Sequence, residues 1–138
     1  MEWTYVEYMK WVGGKYKNNK KVKVLQIKGI FSNNLKNINN LPNVKSINAV
    51  CNRITEIEHL FSEKILYLNI SHNSIIHIEK LNLPNLVELI CDNNNIEFIE
   101  KINLPKLETL DCSCNKIKFI ENLNLPNLIT LHCMENNF

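Results

Sequence analysis

Hydrophobic residues recur along this chain with a period of 21 residues, and one asparagine returns in each period. The recurring pattern is L-x-x-L-x-L/C-x-x-N-x-I-x-x-I, followed by a turn usually written L-P-N or L-P-K. Full and partial copies begin at Val44, Ile65, Leu86, Leu107 and Leu128. An earlier, degenerate copy from Val22 keeps the apolar spacing but has Ile30 in place of the asparagine. Self-similarity at a fixed period of about 20 to 50 residues predicts a repeat architecture.

Each repeat predicts one short strand, because the last two apolar positions of L-x-x-L-x-L alternate. The recurring asparagines follow this strand, where the chain turns away from it. Their side-chain amides are expected to bond unpaired backbone groups of neighbouring turns as a structural asparagine ladder. No single repeat can bury its apolar side alone, so stacking of repeats must supply the core. The ladder consists of Asn52, Asn73, Asn94, Asn115 and Asn136.

The pattern over residues 22–138 resembles the leucine-rich repeat family, closest to its short intracellular class of about 22 residues per repeat. The resemblance implies an α/β-type solenoid. In that fold a right-handed coil carries a short parallel β-sheet on its concave face and irregular or 3-10 turns on its convex face. Residues 22–138 then form the repeat domain, with one degenerate, four full and one partial repeat and no C-terminal cap. Residues 1–21 are expected to form an N-terminal cap, helical or extended, with a basic linker into a strand over residues 21–27.

Cys112 and Cys114 form a Cys-x-Cys motif that at first indicates a metal or redox site. The repeat gives a simpler explanation, because Cys112 shares an inward position with Cys91 and Cys133. Cys114 lies in the next column, just before the ladder asparagine, and is expected at the rim rather than in the core. Strand alternation and the turn separate the two sulfurs. Zinc and phosphate-binding motifs are absent from the sequence, so no metal or cofactor is expected.

The positions between the inward residues are expected to form the functional surface. An aromatic residue with exposed apolar side chains and carboxylates is typical of a modest protein-binding surface. The alternative is an ordinary surface on a shallow sheet. A hydrolytic triad of Asp111, Ser113 and His132 is disfavoured, since an open parallel sheet offers neither oxyanion donors nor a water-excluding pocket, and no enzyme is expected. The predicted concave-face site is Tyr67, Ile90, Asp92, Asp111, His132 and Met134.

The repeat pattern stops at an uncovered strand. The residues that would form its edge are Leu128, Leu131, Cys133 and Phe138. Unprotected strand edges recruit other strands, so a second copy is expected to pair here as a homodimer. A structural, self-assembling module is therefore the alternative to an unidentified protein partner on the concave face. A shortened relative of a longer repeat protein, with Phe138 as a plug, is the remaining interpretation.

Charge and composition limit the expected class of partner and the expected cellular compartment. The 138 residues carry a net charge of +2, but residues 1–28 hold seven lysines and two glutamates, leaving the remainder at −3. Such a basic end is more often a solvated surface than a site for nucleic acid or lipid, and neither is the expected partner. No segment approaches the roughly 20 apolar residues of a membrane span. Five cysteines without a secretory signal favour an intracellular, cytoplasmic or nuclear location. Abundant asparagine, lysine and isoleucine are typical of AT-rich genomes, such as those of protists or large DNA viruses.

Overall fold

A computed structural model describes residues 24–26, 35, 43–57, 60–78 and 81–138. Within these ranges the chain forms short β-strands and no helix. The strands are β1 (Val24–Gln26), β2 (Ser46–Asn48), β3 (Tyr67–Asn69), β4 (Glu88–Ile90), β5 (Phe98–Glu100), β6 (Thr109–Asp111), β7 (Phe119–Glu121) and β8 (Thr130–His132). The predicted N-terminal cap lies outside the described residues.

Six of these strands form one parallel sheet in the order β1-β2-β3-β4-β6-β8. Paired residues are 22 positions apart between β1 and β2 and 21 apart between later neighbours, so each repeat adds one strand in register. The central residue of each later strand points inward: Leu89 of β4 is buried, whereas Glu88 and Ile90 are partly exposed. This arrangement confirms the predicted solenoid of parallel strands. It also places alternate side chains of every strand on one open surface.

The core is a stack of equivalent apolar side chains from successive coils. Ile54, Ile75, Ile96 and Ile117 occupy one such column and are all fully buried. Burial of an isoleucine or leucine side chain contributes roughly 1.5–3 kcal/mol relative to exposure. Because each coil packs mainly on its neighbours, stability accumulates coil by coil rather than in one central core.

The back of the described coils agrees with the expected irregular convex face but contains no helix, so the α/β label is too broad. There β5 and β7 pair as a second parallel sheet, and isolated bridges join Glu56 to His77 and Asn103 to Asn124. An extended chain covers about 3.3 Å per residue but a helix only about 1.5 Å. A repeat of 21 residues has few left for its return arm, so that arm stays extended. The described coils are therefore built from strands, turns and irregular extended segments.

A proline turn leads the chain into β4, β6 and β8, whereas Glu63 takes the place of proline before β3. The N–H of Leu107 donates to the carbonyl of Leu104 at 3.0 Å, with Pro105 as the second residue of the turn. Proline suits this position because its ring fixes the φ angle that the turn requires. A second set of asparagines ties the turns together: Asn85 Nδ2 donates to the Glu63 carbonyl at 2.8 Å and Asn127 Nδ2 to that of Pro105 at 2.6 Å. The repeat pattern marks this turn, but these links between coils were not predicted.

In the part of the chain that the structure describes, no helix has the length and hydropathy needed to cross a membrane.

Candidate binding face

The sheet face consists of the outward side chains of the six-stranded sheet and, for β2, β3, β4, β6 and β8, the residue two positions after the strand. The outward side chains form two rows that run across the strands. Neighbouring members of a row are about 4.8 Å apart, which is the spacing between strands. The first row is Val24, Ser46, Tyr67, Glu88, Thr109 and Thr130. The second row is Gln26, Asn48, Asn69, Ile90, Asp111 and His132.

The structure brings part of the predicted concave-face site together. Ile90, Asp111 and His132 are direct neighbours in the second row. Tyr67 lies in the first row on β3, with its side chain 45% exposed. Met134 lies beyond the end of β8 and is 70% exposed. The set therefore spreads from β3 to β8 as a surface and does not form a compact pocket.

A groove of about 250 Å³ crosses β2, β3 and β4 on the sheet face. Ile47 and Leu68 form its floor, because they are the inward residues of β2 and β3. The outward residues that line it are Ser46, Asn48, Tyr67, Asn69, Glu88 and Ile90. Tyr67 and Ile90 belong to the predicted site. The two asparagines, the serine and the glutamate lie at positions that the repeat predicts to be outward, but they are not part of the predicted site.

The second row has a fixed orientation of hydrogen-bonding groups. Asn48 Oδ1 accepts a bond from the N–H of Val50 at 3.2 Å, and Asn69 Oδ1 accepts one from the N–H of Ser71 at 3.0 Å. Asp111 Oδ1 accepts in the same way from the N–H of Ser113 at 3.0 Å. These local bonds occupy one side of each polar group. The asparagine Nδ2 donors and the Asp111 Oδ2 acceptor are left for other partners.

The residues two positions after the strands correct the expectation that the positions between inward residues form an exposed surface. Only 5% of the surface of Ser71 and 8% of that of Ser113 are accessible. The reason is that this column follows the strand end, where the chain begins its turn and draws the small side chains inward. Ser113 consequently presents no accessible nucleophile beside Asp111 and His132. Asp92, in the same column, stays half-buried, and its Oδ2 accepts a bond from Asn93 Nδ2 at 2.6 Å.

The residue before each ladder asparagine adopts a left-handed backbone conformation, which the sequence did not reveal. Its φ angle lies between 51° and 56° in every described repeat. The residues are Cys51, His72, Asn93, Cys114 and Glu135. Glycine usually marks such a position, and among these five residues only the asparagine and the histidine are enriched there. None of the five residues is β-branched. The absence of β-branched residues is the one feature of the sequence that indicates the left-handed conformation at this position.

The two cysteines of the Cys-x-Cys motif have different surroundings. Cys112 is buried, its Sγ donates to the carbonyl of His132 at 3.3 Å, and burial raises its pKa to about 12, with smaller contributions from Cys133 and Asp111. Cys114 is more exposed, and its Sγ donates to Glu135 Oε2 at 3.3 Å. That bond to a carboxylate raises the pKa of Cys114. Both thiols are therefore held protonated, and neither is an activated nucleophile.

Cys91 repeats the arrangement of Cys112 one coil earlier. It is fully buried, and its Sγ donates to the carbonyl of Asp111 at 3.2 Å. Burial raises the pKa of Cys91 well above its ordinary value, with neighbouring Cys112 and Asp111 adding to the effect. Across residues 24–26, 35, 43–57, 60–78 and 81–138, no three His, Cys, Asp or Glu side chains converge in a way that would hold a metal ion.

The ladder asparagines bond the backbones of two coils at once. Asn115 Nδ2 donates to the carbonyls of Cys91, Cys112 and Ser113 at 3.0 to 3.1 Å, and its Oδ1 accepts from the N–H of Ile96 at 3.0 Å. Equivalent sets of bonds are made by Asn73, Asn94 and Asn136. In the first described coil, Asn52 Nδ2 donates to the carbonyls of Ala49 and Val50.

The predicted dimer edge lies at β8. This strand pairs with β6 on one side and with no strand of the described chain on the other. Leu131 is 43% exposed and Phe138 66% exposed, whereas Leu128 and Cys133 are half-buried. Ile129 beside them is 79% exposed and was not predicted as part of the edge.

A family model described as "Leucine Rich repeats (2 copies)" matches residues 105–138. A search of curated proteins returned no match. Leucine-rich repeat domains generally mediate protein–protein interaction and are generally non-enzymatic. The match covers the last coils, and the same strand register and asparagine bonding run back from it as far as β2. The matched repeats, and the coils continuous with them, support a leucine-rich repeat protein.

Proposed function

We propose that this chain binds a protein partner through the sheet face and is itself non-enzymatic. The observation that carries the proposal is the groove of about 250 Å³ beside Tyr67, a residue that is 45% exposed. Tyrosine and methionine are enriched in protein interfaces, and an aromatic side chain beside a groove is a frequent centre of binding energy. The proposed contact residues are Tyr67, Ile90, Asp92, Asp111, His132 and Met134. The five cysteines are free thiols, which fits a reducing compartment such as the cytosol or nucleus.

Comparative affinity capture with three forms of the protein tests this function. They are the wild type, the double variant Tyr67→Ala/Ile90→Lys, and a control changed on the back, Lys118→Ala. Lys118 bonds Glu97 Oε2 at 3.1 Å on the exposed back of the coil, so its loss leaves the sheet face intact. Circular dichroism and urea unfolding establish that each form is folded. Proteins captured by the wild type and the control but not by the double variant support the function, and equal capture by all three forms rejects it.

The edge of β8 favours a second candidate, self-assembly through edge strands. Ile129, Leu131 and Phe138 expose apolar surface next to backbone groups that no strand of the described chain pairs. Pairing with the same edge of a second copy would cover both features in a closed, two-fold arrangement. Self-assembly at this edge and partner binding at the sheet face use different residues. The two surfaces come close together only at His132 and Met134, which belong to the sheet face and lie next to the edge.

Light-scattering mass after size exclusion in reducing buffer tests self-assembly. Leu131→Lys is compared with Ile76→Lys, because both side chains are 43% exposed but Ile76 lies on the back of the coil. A dimer in the wild type and in Ile76→Lys, with a monomer in Leu131→Lys, supports edge pairing. A monomeric wild type at concentrations of about 100 µM rejects it for any interface of standard strength.

A further inference from the structure

The described part of the sheet face carries charge of one sign. Its described outward positions include Glu88, Asp92 and Asp111, and they include no lysine or arginine. Lysines lie instead around a second groove, outside the sheet face, lined by Lys45, Glu63, Lys64, Leu66, Asn85, Val87 and Lys106. This segregation gives the sheet face a local negative potential although the whole chain has a net charge of +2. A partner that meets this surface must complement negative charge.

Three carboxylates gather at the carboxyl ends of the strands. Asp92, Asp111 and Glu135 all lie close enough to the Cys114 thiol to favour its protonated form. Like charges held together on adjacent strands repel one another, and a cation placed between them relieves that repulsion. The side chain of a lysine or arginine provides such a cation, and arginine also offers bidentate bonds to a carboxylate.

The second row has hydrogen-bond donors at one end and a carboxylate acceptor at the other, so it has a polarity along its length. From β2 to β6 it reads Asn48 and Asn69 as donors, Ile90 as an apolar contact and Asp111 as an acceptor. The local bonds of Asn48 and Asn69 occupy Oδ1, so Nδ2 is the group each offers outward. Four members at about 4.8 Å spacing span about 14 Å, which equals roughly four residues of an extended chain. A peptide lying across the strands therefore matches the row in length.

We infer that the partner docks an extended, basic segment across the sheet face. Its backbone carbonyls accept bonds from Asn48 and Asn69, an apolar side chain covers Ile90, and a lysine or arginine enters between Asp92 and Asp111. A second cation can stack on the exposed ring of Tyr67 beside Glu88. The inference rests on the proposed function and names the chemistry of its partner. Phosphate-rich partners are disfavoured at this face, because the same carboxylates repel them.

Selection from a displayed library of random dodecapeptides on the immobilised wild-type chain tests the inference. Selected peptides are then labelled with fluorescein and titrated by anisotropy against the wild type and Asp92→Asn/Asp111→Asn. Asparagine at 111 keeps the Oδ1 that accepts the bond from Ser113, so the local turn is preserved. The matched control is Glu97→Gln/Glu121→Gln, which removes the same number of charges from the back of the coil. A third variant, Tyr67→Ala/Ile90→Lys, reports whether the peptides use the sheet face at all.

The expected peptides carry lysine or arginine, and their affinity falls about five- to tenfold in Asp92→Asn/Asp111→Asn but less than about twofold in the control. Neutral or acidic peptides that need Tyr67 and Ile90 but ignore the two aspartates overturn this inference and leave the proposed function standing. Peptides that bind all variants equally, or a selection that yields none, reject both.

Side-chain amide resonances of the ¹⁵N-labelled chain test the donor part of the inference. On addition of a selected peptide, the Nδ2 signals of Asn48 and Asn69 should shift. Those of Asn85 and Asn127, which bond carbonyls in the turns, should stay. Shifts confined to the turn asparagines would overturn the assigned position and direction of the segment.

Discussion

The side-chain oxygen of Asn94 accepts a hydrogen bond from the backbone N–H of Ile75, which lies in the preceding coil, at 3.0 Å. The Nδ2 of the same side chain donates to the carbonyl of Ile70 in that coil and to those of Cys91 and Asp92 in its own. One buried amide thus bonds backbone groups of two coils, and its oxygen is the partner of the buried N–H of Ile75.

Asn94→Ala should lower the free energy of unfolding by about 2–4 kcal/mol, because it leaves the N–H of Ile75 without a partner and removes one of the two donors from each of three carbonyls. Asn95→Ala is the matched control: Asn95 is half-buried, and its backbone N–H bond to Ile75 survives the change. Urea unfolding followed by circular dichroism measures both. Similar losses in the two variants would show that Asn94 contributes no more than an ordinary surface asparagine.

Alkaline pH should destabilise the chain partly through Cys112. Its pKa is raised from about 9 to about 12 by burial, so the folded state keeps the proton that the unfolded state releases. The stability is fully present below about pH 9 and is lost as the pH rises toward 12, at up to about 1.4 kcal/mol per pH unit. Urea unfolding at pH 8 to 10.5 should therefore show a shallower decline in Cys112→Ala than in the wild type.

Ile70→Ala controls for that comparison, since Ile70 occupies the same inward column and does not titrate. It should lower stability at every pH and keep the slope of the wild type. An unchanged slope in Cys112→Ala would contradict the role of this thiol.

Relief of backbone strain should stabilise the chain at His72, whose φ angle is 53°. Glycine adopts this conformation without steric cost, so His72→Gly should raise the free energy of unfolding by about 0.5 kcal/mol despite the greater freedom of the unfolded chain. His72→Val should lower it by more than about 1 kcal/mol, because a β-branched residue fits the region poorly. Thermal unfolding measures both variants. Ser74→Gly, two residues on, should destabilise as glycine ordinarily does, and a loss of stability in His72→Gly of the same size would refute the prediction.

Two equivalent serines should respond differently to the same change. Ser71 Oγ donates to Asn69 Oδ1 at 2.7 Å, whereas the buried Ser113 Oγ has no hydrogen-bond partner in the described part of the chain. Ser71→Ala should cost about 1 kcal/mol, and Ser113→Ala should be neutral or stabilising by up to about 1 kcal/mol. Urea unfolding of both variants measures the difference. A larger loss of stability in Ser113→Ala than in Ser71→Ala would contradict the finding that the Ser113 hydroxyl has no hydrogen-bond partner.

The fold was predictable because its signal is repeated. Residues such as Leu68, Leu89 and Leu110 recur at the same position of each repeat, so the inward column, the strand and the register follow together. A single copy of the motif would leave helix and strand open, whereas repetition requires every copy to take the same conformation.

The details of the sheet face were less predictable, because they depend on local turns that the period does not specify. The burial of Ser113 follows from a chain reversal at Cys114, where no glycine announces the left-handed conformation. The donor orientation of Asn48 follows from one bond to the backbone of Val50. The pairing of β5 with β7 on the back was not predicted for a different reason: residues such as Phe98 and Phe119 pair across coils only when the return arm is too short for a helix.

Each ladder asparagine reaches only its own coil and the one before it, and this has a consequence for how such a gene can change. If recombination removed residues 86–106, Asn115 would meet the carbonyl of Ile70 in place of that of Cys91, with an inward apolar residue behind either one. Gain or loss of a whole repeat therefore leaves each remaining ladder asparagine with equivalent backbone partners in the preceding coil. Natural length variants would differ in how many residues of a partner they can span, while the local rules of contact stay the same.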